Sequence, residues 1–129
     1  MNLHREEIIN VSKLESLKRY KYFMKKIADF QELWTIMDEN GEIALSDLDD
    51  KTFVPFWSAK DFIESNLISE WEKCLPFKLT LDNLEEDIIS WISEKNYLIN
   101  VFPVNGKSGF VVDIHEFIRD LNEELENYS

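Results

Sequence analysis

Helix-start signals recur along this chain and alternate with short β-rich segments, which restricts the fold to one that mixes helices with hairpins. At each signal a Ser or Asp is followed three residues later by an acidic residue. Such a pair satisfies free backbone N–H groups in a first helical turn and favours the positive end of the helix dipole. The five pairs are Ser12 with Glu15, Asp29 with Glu32, Ser58 with Asp61, Asp82 with Glu85, and Asp113 with Glu116.

The first two signals predict helices that follow one another directly. The first helix runs from Ser12 through about residue 28, and its apolar stripe consists of Leu14, Leu17, Tyr20, Met24 and Ile27. The second helix, from Asp29, is shorter and carries Leu33, Trp34 and Met37. Asn40-Gly41 then predicts a turn.

The three later signals predict helices with apolar stripes of their own. Ser58 begins a helix through about residue 71, whose inward residues are Phe62, Ile63 and Leu67. Asp82 begins a helix whose stripe consists of Leu84, Ile88, Trp91 and Ile92. Asp113 begins the last helix, whose stripe at steps of three and four consists of Ile114, Phe117, Ile118, Leu121 and Leu125.

The segments between the helices are short, apolar and bounded by turn residues. Residues 42–45 and 52–57 predict a hairpin across residues 46–51, and residues 77–81 alternate as a strand after Pro76 has stopped the preceding helix. Residues 97–102 and 109–112 flank Asn105-Gly106, which is a hairpin signal. Because helices and hairpins mix without regular βαβ alternation, we expect an α+β protein with a small, mostly antiparallel sheet packed against about five helices.

Length and composition favour one globular domain over residues 1–129, with residues 1–12 as a loosely ordered N-terminal extension. The chain is 44% hydrophobic and 13% aromatic, which argues against disorder. No basic, apolar leader and no long apolar run is present, so we expect neither a signal peptide nor a membrane span. Cys74 is the only cysteine, and the absence of an internal disulfide fits the reducing cytoplasm.

Aromatic, Pro and Gly landmarks occur in a definite order along the chain. They are Tyr20-x-x-Phe23, Ala28-Asp29, Leu33-Trp34, Asp38-Glu39-Asn40-Gly41, Val54-Pro55-Phe56-Trp57, Trp71 with Pro76, Trp91, Val101-Phe102-Pro103 and Gly109. This order resembles the small bacterial domain-of-unknown-function family 2750 over Tyr20 to Leu125. The chain departs from the family pattern after the turn glycine, where Glu42-Ile43 stands in place of an aromatic residue. The resemblance implies a shared architecture, but it implies no activity and no catalytic residue.

Charge is distributed very unevenly along the sequence. The first 29 residues carry seven Lys or Arg against four Asp or Glu, whereas the remaining hundred carry seven against 22. The formal net charge is −12, which repels anionic lipid and nucleic acid. We therefore expect no membrane binding and no direct nucleic-acid binding, and the asymmetry indicates a basic protein partner.

The sequence matches catalytic and metal-binding motifs only weakly. Residues 105–108 resemble the end of a phosphate-binding loop, which requires another glycine five positions before Gly106. That position is Val101, so the motif is incomplete. An EF-hand loop counted from Asp47 would place Thr52 and Ser58 where Gly and Glu are required. His4 and His115 are isolated, and Cys74 has acidic neighbours that do not activate a thiol. We predict no catalytic residue, no cofactor and no metal ion.

The acidic residues supply three sets of candidate partner-binding positions. The first set, in the predicted 46–51 loop, consists of Asp47, Asp49 and Asp50, and the second, at a helix start, consists of Glu85, Glu86 and Asp87; these two sets are preferred. The third set, on the last helix, forms a second candidate face and consists of Glu116, Asp120, Glu123 and Glu124. The four tryptophans are expected in the core. A basic cluster in the N-terminal helix either meets an anion or pairs with the acidic body, and consists of Lys18, Arg19, Lys21, Lys25 and Lys26.

These observations favour a noncatalytic protein-binding module. The leading hypothesis is an immunity or antitoxin-like protein that docks and neutralises a basic toxin such as a nuclease, because opposite charge accelerates and selects such encounters. The alternatives are a small cytosolic enzyme, a small-ligand-binding protein and, less favoured, an inhibitor that mimics nucleic acid. The sequence leaves the oligomeric state and the identity of the partner open.

Overall fold

The structure is a computed structural model that describes residues 4–66, 71–104 and 107–127. The helices of these segments are α1 (Arg5–Ser12), α2 (Ser16–Phe30), α3 (Lys60–Asn66), α4 and α5 (Ile114–Glu126). Helix α4 consists of Leu81–Asn83, a π-helical turn over Leu84–Ile88, and Ile89–Lys95. The strands are β1 (Glu32–Met37), β2 (Ser46–Leu48), β3 (Lys51–Phe56), β4 (Leu75–Thr80), β5 (Leu98–Val101) and β6 (Phe110–Val112).

The strands form two small sheets, and the predicted α+β class is confirmed. Strand β1 pairs antiparallel with β4 in one sheet, and the other sheet has the order β2-β3-β5-β6. Within the second sheet only the β3–β5 pair is parallel, so the sheets are mostly antiparallel as predicted. The backbones of Trp34 and Trp57 exchange two hydrogen bonds of 2.8 Å, which join the sheets.

Strand β1 corrects the prediction of a second helix from Asp29. Helix α2 continues through Phe30 and ends where Gln31 adopts a left-handed conformation with φ of 60°. The next residues include Trp, Thr and Ile, which favour strands. The Thr35 hydroxyl donates a 2.8 Å hydrogen bond to the Pro55 carbonyl, and β1 pairs along its length with β4. This long-range pairing overrides the helical spacing of the apolar residues.

The start of α2 also differs from the prediction. Ser12 is the last residue of α1, and Glu15 is the residue before the first turn of α2. A tight turn separates the helices, in which the N–H groups of Lys13 and Leu14 donate to carbonyls of α1. Ser12 therefore does not cap α2. Within the predicted stripe, Leu17 is exposed whereas Tyr20 is buried.

The β2–β3 hairpin is tighter than the predicted hairpin. Asp49 and Asp50 both have positive φ values, 52° and 63°, as a two-residue type I′ turn requires. Residues 46–48 therefore form the first strand, and residues 42–45 contribute only an isolated bridge between Ile43 and Met37. The predicted turn at Asn40-Gly41 is confirmed, because the Gly41 N–H donates to the Asp38 carbonyl.

The caps of the later helices are partly as predicted. The Asp113 side chain accepts a 2.8 Å hydrogen bond from the Glu116 N–H, so this cap is confirmed. Helix α4 is instead capped two residues earlier than predicted, by reciprocal bonds between Thr80 and Asn83. The predicted Ser58 cap does not form, and α3 begins at Lys60.

The strands near the C-terminal half lie close to their predicted positions. Strand β4 begins two residues before the predicted range, at Leu75, and includes Pro76. Strands β5 and β6 lie within the ranges predicted for them and pair antiparallel. The predicted turn at 105–106 lies outside the described residues, as does residue 67 of the predicted α3 stripe.

The core combines aliphatic and aromatic side chains from the helices and from strands of both sheets. Its largest fully buried side chains are Trp57, Phe23, Phe56, Phe62, Phe102 and Phe117. Trp57 donates a 2.8 Å hydrogen bond to the Pro103 carbonyl and meets Trp71 edge to face at 5.8 Å. These two tryptophans are core residues as expected, whereas Trp34 and Trp91 are half-buried.

Candidate functional site

The three predicted acidic sets lie on three separate elements. Asp47, Asp49 and Asp50 are exposed at the β2–β3 hairpin, where a local structural role accounts for them. Asp47 accepts a 2.6 Å hydrogen bond from the Thr52 hydroxyl, and aspartate tolerates the left-handed conformation of the turn. The hydrogen bond of Asp47 and the turn conformation of Asp49 and Asp50 therefore account for these three aspartates without a partner.

The second acidic set lies on the π-helical turn of α4. Glu85, Glu86 and Asp87 are all exposed, one turn after the capping box of Thr80 and Asn83. Carboxylates near the beginning of a helix are favoured by its dipole. This local effect again accounts for the acidic residues without a partner.

The third acidic set lines an open groove between α2 and α5, which we call the α2–α5 groove. The groove has a volume of about 560 Å³. Its acidic wall, on α5, consists of Glu116, Asp120, Glu123 and Glu124, with Asn127 at the end. Its remaining lining consists of Leu17, Tyr20, Lys21, Met24, Lys25 and Phe110. All four predicted residues of the third set therefore lie on one surface.

A partly buried hydrogen bond holds the two walls of the groove together. The Tyr20 hydroxyl of α2 donates to Oδ2 of Asp120 at 2.6 Å, and the Tyr20 ring lies 4.7 Å from that of Phe110. Bonds from a hydroxyl to a carboxylate are among the stronger hydrogen bonds in proteins. Arg119 lies 3.2 Å from Asp120 and 3.6 Å from Glu116, so these two acids are partly neutralised. Glu123 and Glu124 lie further along the same wall.

The structure divides the predicted basic cluster of the N-terminal helix. Arg19 is buried, and its guanidinium donates to the carbonyls of Leu14, Phe102 and Ser108, so it is a core residue and not part of a surface patch. Lys21 and Lys25 line the groove. The spacing of Arg19 from Phe23, one helical turn later on the buried face, was a signal that sequence reasoning missed.

A second, smaller cavity of about 110 Å³ lies beside Ser58 and was not predicted from the sequence. We call it the Ser58 cavity. Its lining consists of Tyr22, Lys26, Phe30, Glu32, Trp34, Ser58, Ala59, Lys60 and Asp61. Its formation depends on the contact of β1 with the end of β3, which brings Ser58 close to Trp34.

The tyrosines that line these two cavities are poor acid–base groups at neutral pH. Burial raises the pKa of Tyr20 well above its ordinary value, and the hydrogen bond to Asp120 raises it further. Burial likewise raises the pKa of Tyr22, whose hydroxyl donates to Oε2 of Glu7 at 2.8 Å. General acid–base catalysis favours a pKa near the operating pH. Both tyrosines therefore have structural roles, joining α2 to α5 and to α1.

The remaining residues considered for chemistry have local explanations. Burial raises the pKa of the Cys74 thiol, with further contributions from the carboxylates of Asp38 and Glu39, so its reactive thiolate is disfavoured. His4 and His115 are exposed. Within residues 4–66, 71–104 and 107–127, no three His, Cys, Asp or Glu side chains are grouped as metal ligands would be. No helix in these segments has the length and apolar character needed to cross a membrane.

The raised pKa values predict that the protein loses stability in alkaline solution. The unfolded chain releases these protons at the ordinary pKa values, 9.0 for cysteine and 10.0 for tyrosine. The folded protein keeps the protons of Cys74, Tyr20 and Tyr22 to a higher pH, because the pKa of each group is raised. The unfolded state then binds fewer protons, so the free energy of unfolding falls as pH rises, by up to about 1.4 kcal/mol per pH unit for each group. Urea unfolding between pH 8 and 11 measures this fall. The double variant Tyr20→Phe with Tyr22→Phe should show a shallower slope, and equal slopes would contradict the assignment.

Fold and groove together define a small α+β protein whose last helix presents an acidic wall. The family model described as "Protein of unknown function (DUF2750)" matches residues 20–121. The chain therefore belongs to this family, as the order of its aromatic, Pro and Gly landmarks predicted. Helix α1 precedes the matched segment. No curated protein matches the chain.

Proposed function

We propose that this protein is a noncatalytic binding module that docks a basic protein in the α2–α5 groove. The observation that carries the proposal is the position of Glu116, Asp120, Glu123 and Glu124 along one wall of an open groove. Protein interfaces combine an apolar centre with a polar rim. Leu17, which is 41% exposed, and Phe110 supply apolar surface next to the acidic wall.

Electrostatics support a basic partner for this wall. The net charge of −12 attracts cations over distances of about one Debye length, which is about 8 Å at physiological salt. Complementary charge raises association rates by about ten- to a thousandfold and suppresses wrong partners. Lys21 and Lys25 on the opposite wall would orient a partner that carries an acidic residue of its own.

The role that this surface best fits is that of an immunity or antitoxin-like protein in the cytoplasm, with a basic toxin such as a nuclease as the partner. Neutralising a toxin requires fast and selective association, and requires no chemistry in the protein that binds it. An acidic, well-packed protein with structural rather than catalytic titratable groups suits that task. The acids of the β2–β3 hairpin and of α4 are the alternative docking positions.

Capture from a lysate of the native cells tests the docking surface. The tagged wild type should retain a basic protein at low salt and release it at high salt. The variant Glu123→Gln with Glu124→Gln should retain much less of it, because two charges of the groove wall are lost. The variant Glu85→Gln with Glu86→Gln is the matched control, since it removes the same charge from an exposed part of α4. Equal retention by the two variants would contradict docking in the groove.

The immunity role has a test of its own. The captured partner is expressed in a host strain alone, with the wild type, or with the Glu123→Gln and Glu124→Gln variant. We expect the partner to stop growth, the wild type to restore it and the variant to restore it less. A partner that is harmless alone would contradict the immunity role and leave docking in place.

A further inference from the structure

Each long wall of the α2–α5 groove is one face of a helix. The groove residues of α2 recur at helical spacing, and are Leu17, Tyr20, Lys21, Met24 and Lys25. Those of α5 recur at the same spacing, and are Glu116, Asp120, Glu123, Glu124 and Asn127. At 1.5 Å per residue, these two faces are about 12 and 16 Å long. The groove therefore extends over roughly two to three helical turns.

The two helices that form these walls run in opposite directions. The Tyr20 hydroxyl of α2 donates to Asp120 of α5. One turn later in α2, the Phe23 ring lies 6.1 Å from the ring of Phe117, which is one turn earlier in α5. Helices pack by placing side chains of one between those of the other, and a peptide helix docks in a groove in the same way. Two antiparallel helices with an open groove between them thus offer a packing surface for a third.

The groove lining includes apolar side chains that a partner could cover. Leu17 is 41% exposed, and Phe110 of β6 is half-buried. Covering them with apolar side chains would remove this surface from water, which favours association. A partner helix therefore needs an apolar stripe on the side that enters the groove.

The charges of the two helical walls are opposite in sign. All four carboxylates of the lining belong to α5, and both of its lysines, Lys21 and Lys25, belong to α2. In the described part of the chain, the ion pairs of Arg119 are with Glu116 and Asp120, so they leave the charges of the later acids on α5 in place. A helix between these walls would match them with basic residues on one flank and acidic residues on the other, as the flanks of paired helices do in coiled coils.

We propose that the segment of the partner that fills the groove is an amphipathic helix, with an apolar stripe between a Lys or Arg flank and an Asp or Glu flank. The stripe would cover Leu17 and Phe110. The basic flank would face Glu123 and Glu124, and the acidic flank would face Lys21. This inference rests on the proposed docking function and specifies the kind of segment that docks.

Titration of the ¹⁵N-labelled protein with two designed peptides tests the helix. The matching peptide has a leucine stripe, lysines on one flank and glutamates on the other, and the control peptide has the same composition in scrambled order. The matching peptide should shift the amide signals of Leu17, Glu123 and Glu124 in a saturable manner. It should also gain helical circular dichroism on binding and bind at least about tenfold more tightly than the scrambled peptide.

Two apolar residues of equal exposure give a matched pair of variants. Leu17 in the groove and Ile9 on α1, which is not part of the groove lining, are both 41% exposed. Leu17→Ser should weaken binding of the matching peptide about fivefold, because the stripe loses an apolar contact. Ile9→Ser should bind it like the wild type. The spectrum of each variant also reports whether it is folded.

The variant Lys21→Glu tests the arrangement of the flanks, together with a third peptide that has lysines on both. The variant should bind the matching peptide about threefold more weakly than the wild type does, because glutamate then faces glutamate. It should bind the third peptide more tightly, because lysine then faces glutamate. Changes in the same direction for both peptides would contradict the acidic flank.

The outcomes distinguish the helix from the docking function itself. Equal binding of the matching and scrambled peptides in the groove would overturn the helix and leave docking of a basic partner in place. Shifts confined to other surfaces, unchanged in the variant Glu123→Gln with Glu124→Gln, would contradict docking in the groove as well. A lack of any saturable shift at Leu17 would overturn the helix, and retention of the partner from the lysate then decides docking separately.

Discussion

Replacing Gly109 with alanine is expected to prevent folding or to lower the free energy of unfolding by about 4 kcal/mol, at the upper end of effects of single substitutions. A Cβ atom at this position would lie 1.9 Å from the Val101 carbonyl oxygen and 2.7 Å from the Phe102 carbonyl carbon. These are backbone atoms of β5 and of the segment after it, so they cannot turn aside as a flexible side chain can. The chain must instead move away from β5.

The same displacement would break a partly buried hydrogen bond. The Gly109 N–H donates to Oδ1 of Asn100 at 2.7 Å, and Asn100 is a buried residue of β5. Gly41→Ala is the matched control. Gly41 has φ of +79° but nothing within 4 Å of the added Cβ, so its cost should be only about 1 kcal/mol, from the left-handed conformation. Urea unfolding followed by circular dichroism compares the two, and similar costs would contradict the close approach at Gly109.

Replacing Arg19 with alanine is expected to lower the free energy of unfolding by about 3 kcal/mol, because buried acceptors lose a charged donor. The Arg19 side chain is 6% exposed, and its Nε atom donates to the Phe102 carbonyl at 3.1 Å. The same guanidinium donates to the carbonyls of Leu14 and Ser108. It thereby connects the turn before α2 with both ends of the connection between β5 and β6.

Two further variants test whether the geometry of the guanidinium matters. Arg19→Lys keeps the charge but loses the planar fork, so we expect an intermediate loss of stability. Arg119→Ala is the matched control, since Arg119 is exposed and its loss should have a much smaller effect on stability. Denaturant midpoints for the three variants give the comparison. An Arg19→Ala midpoint equal to that of Arg119→Ala would contradict the structural role of Arg19.

The parts of the fold that depend on local sequence were predicted well. Helix α5 was predicted with its cap, because Asp113 and Glu116 act within one turn and the apolar stripe that follows has a helical period. The turn at Asn40-Gly41 was predicted for a similar reason, since Asp38 satisfies it locally. In these segments the sequence and the final structure favour the same conformation.

The parts that depend on distant partners were predicted wrongly or missed. Strand β1 owes its conformation to β4, whose Thr80 pairs with Glu32 from far along the chain, and the spacing of Leu33 and Met37 also fits a helix. The burial of Arg19 depends on carbonyls of the β5–β6 connection. The helical spacing of Arg19 from Phe23 places both on one face of α2, but no single segment contains the partners that fix β1 or the guanidinium.

The candidate sites show the same division between local and distant information. The four acids of the groove lie on one helix and were predicted together as a candidate face of it. The apolar surface beside them comes from α2 and from β6, which the acidic pattern did not indicate. The Ser58 cavity was missed altogether, because it needs the bridge between Trp34 and Trp57 to bring its walls together.

The rate constant for association with the captured basic partner, measured as a function of ionic strength, tests docking in the α2–α5 groove most directly. We expect the variant Glu123→Gln with Glu124→Gln to associate roughly three- to tenfold more slowly than the wild type at low salt, with a weaker salt dependence. The variant Asp49→Asn with Asp50→Asn, which keeps residues that tolerate the left-handed turn, should associate more nearly like the wild type. Equal rates for the wild type and the groove variant at every ionic strength would contradict docking in the α2–α5 groove.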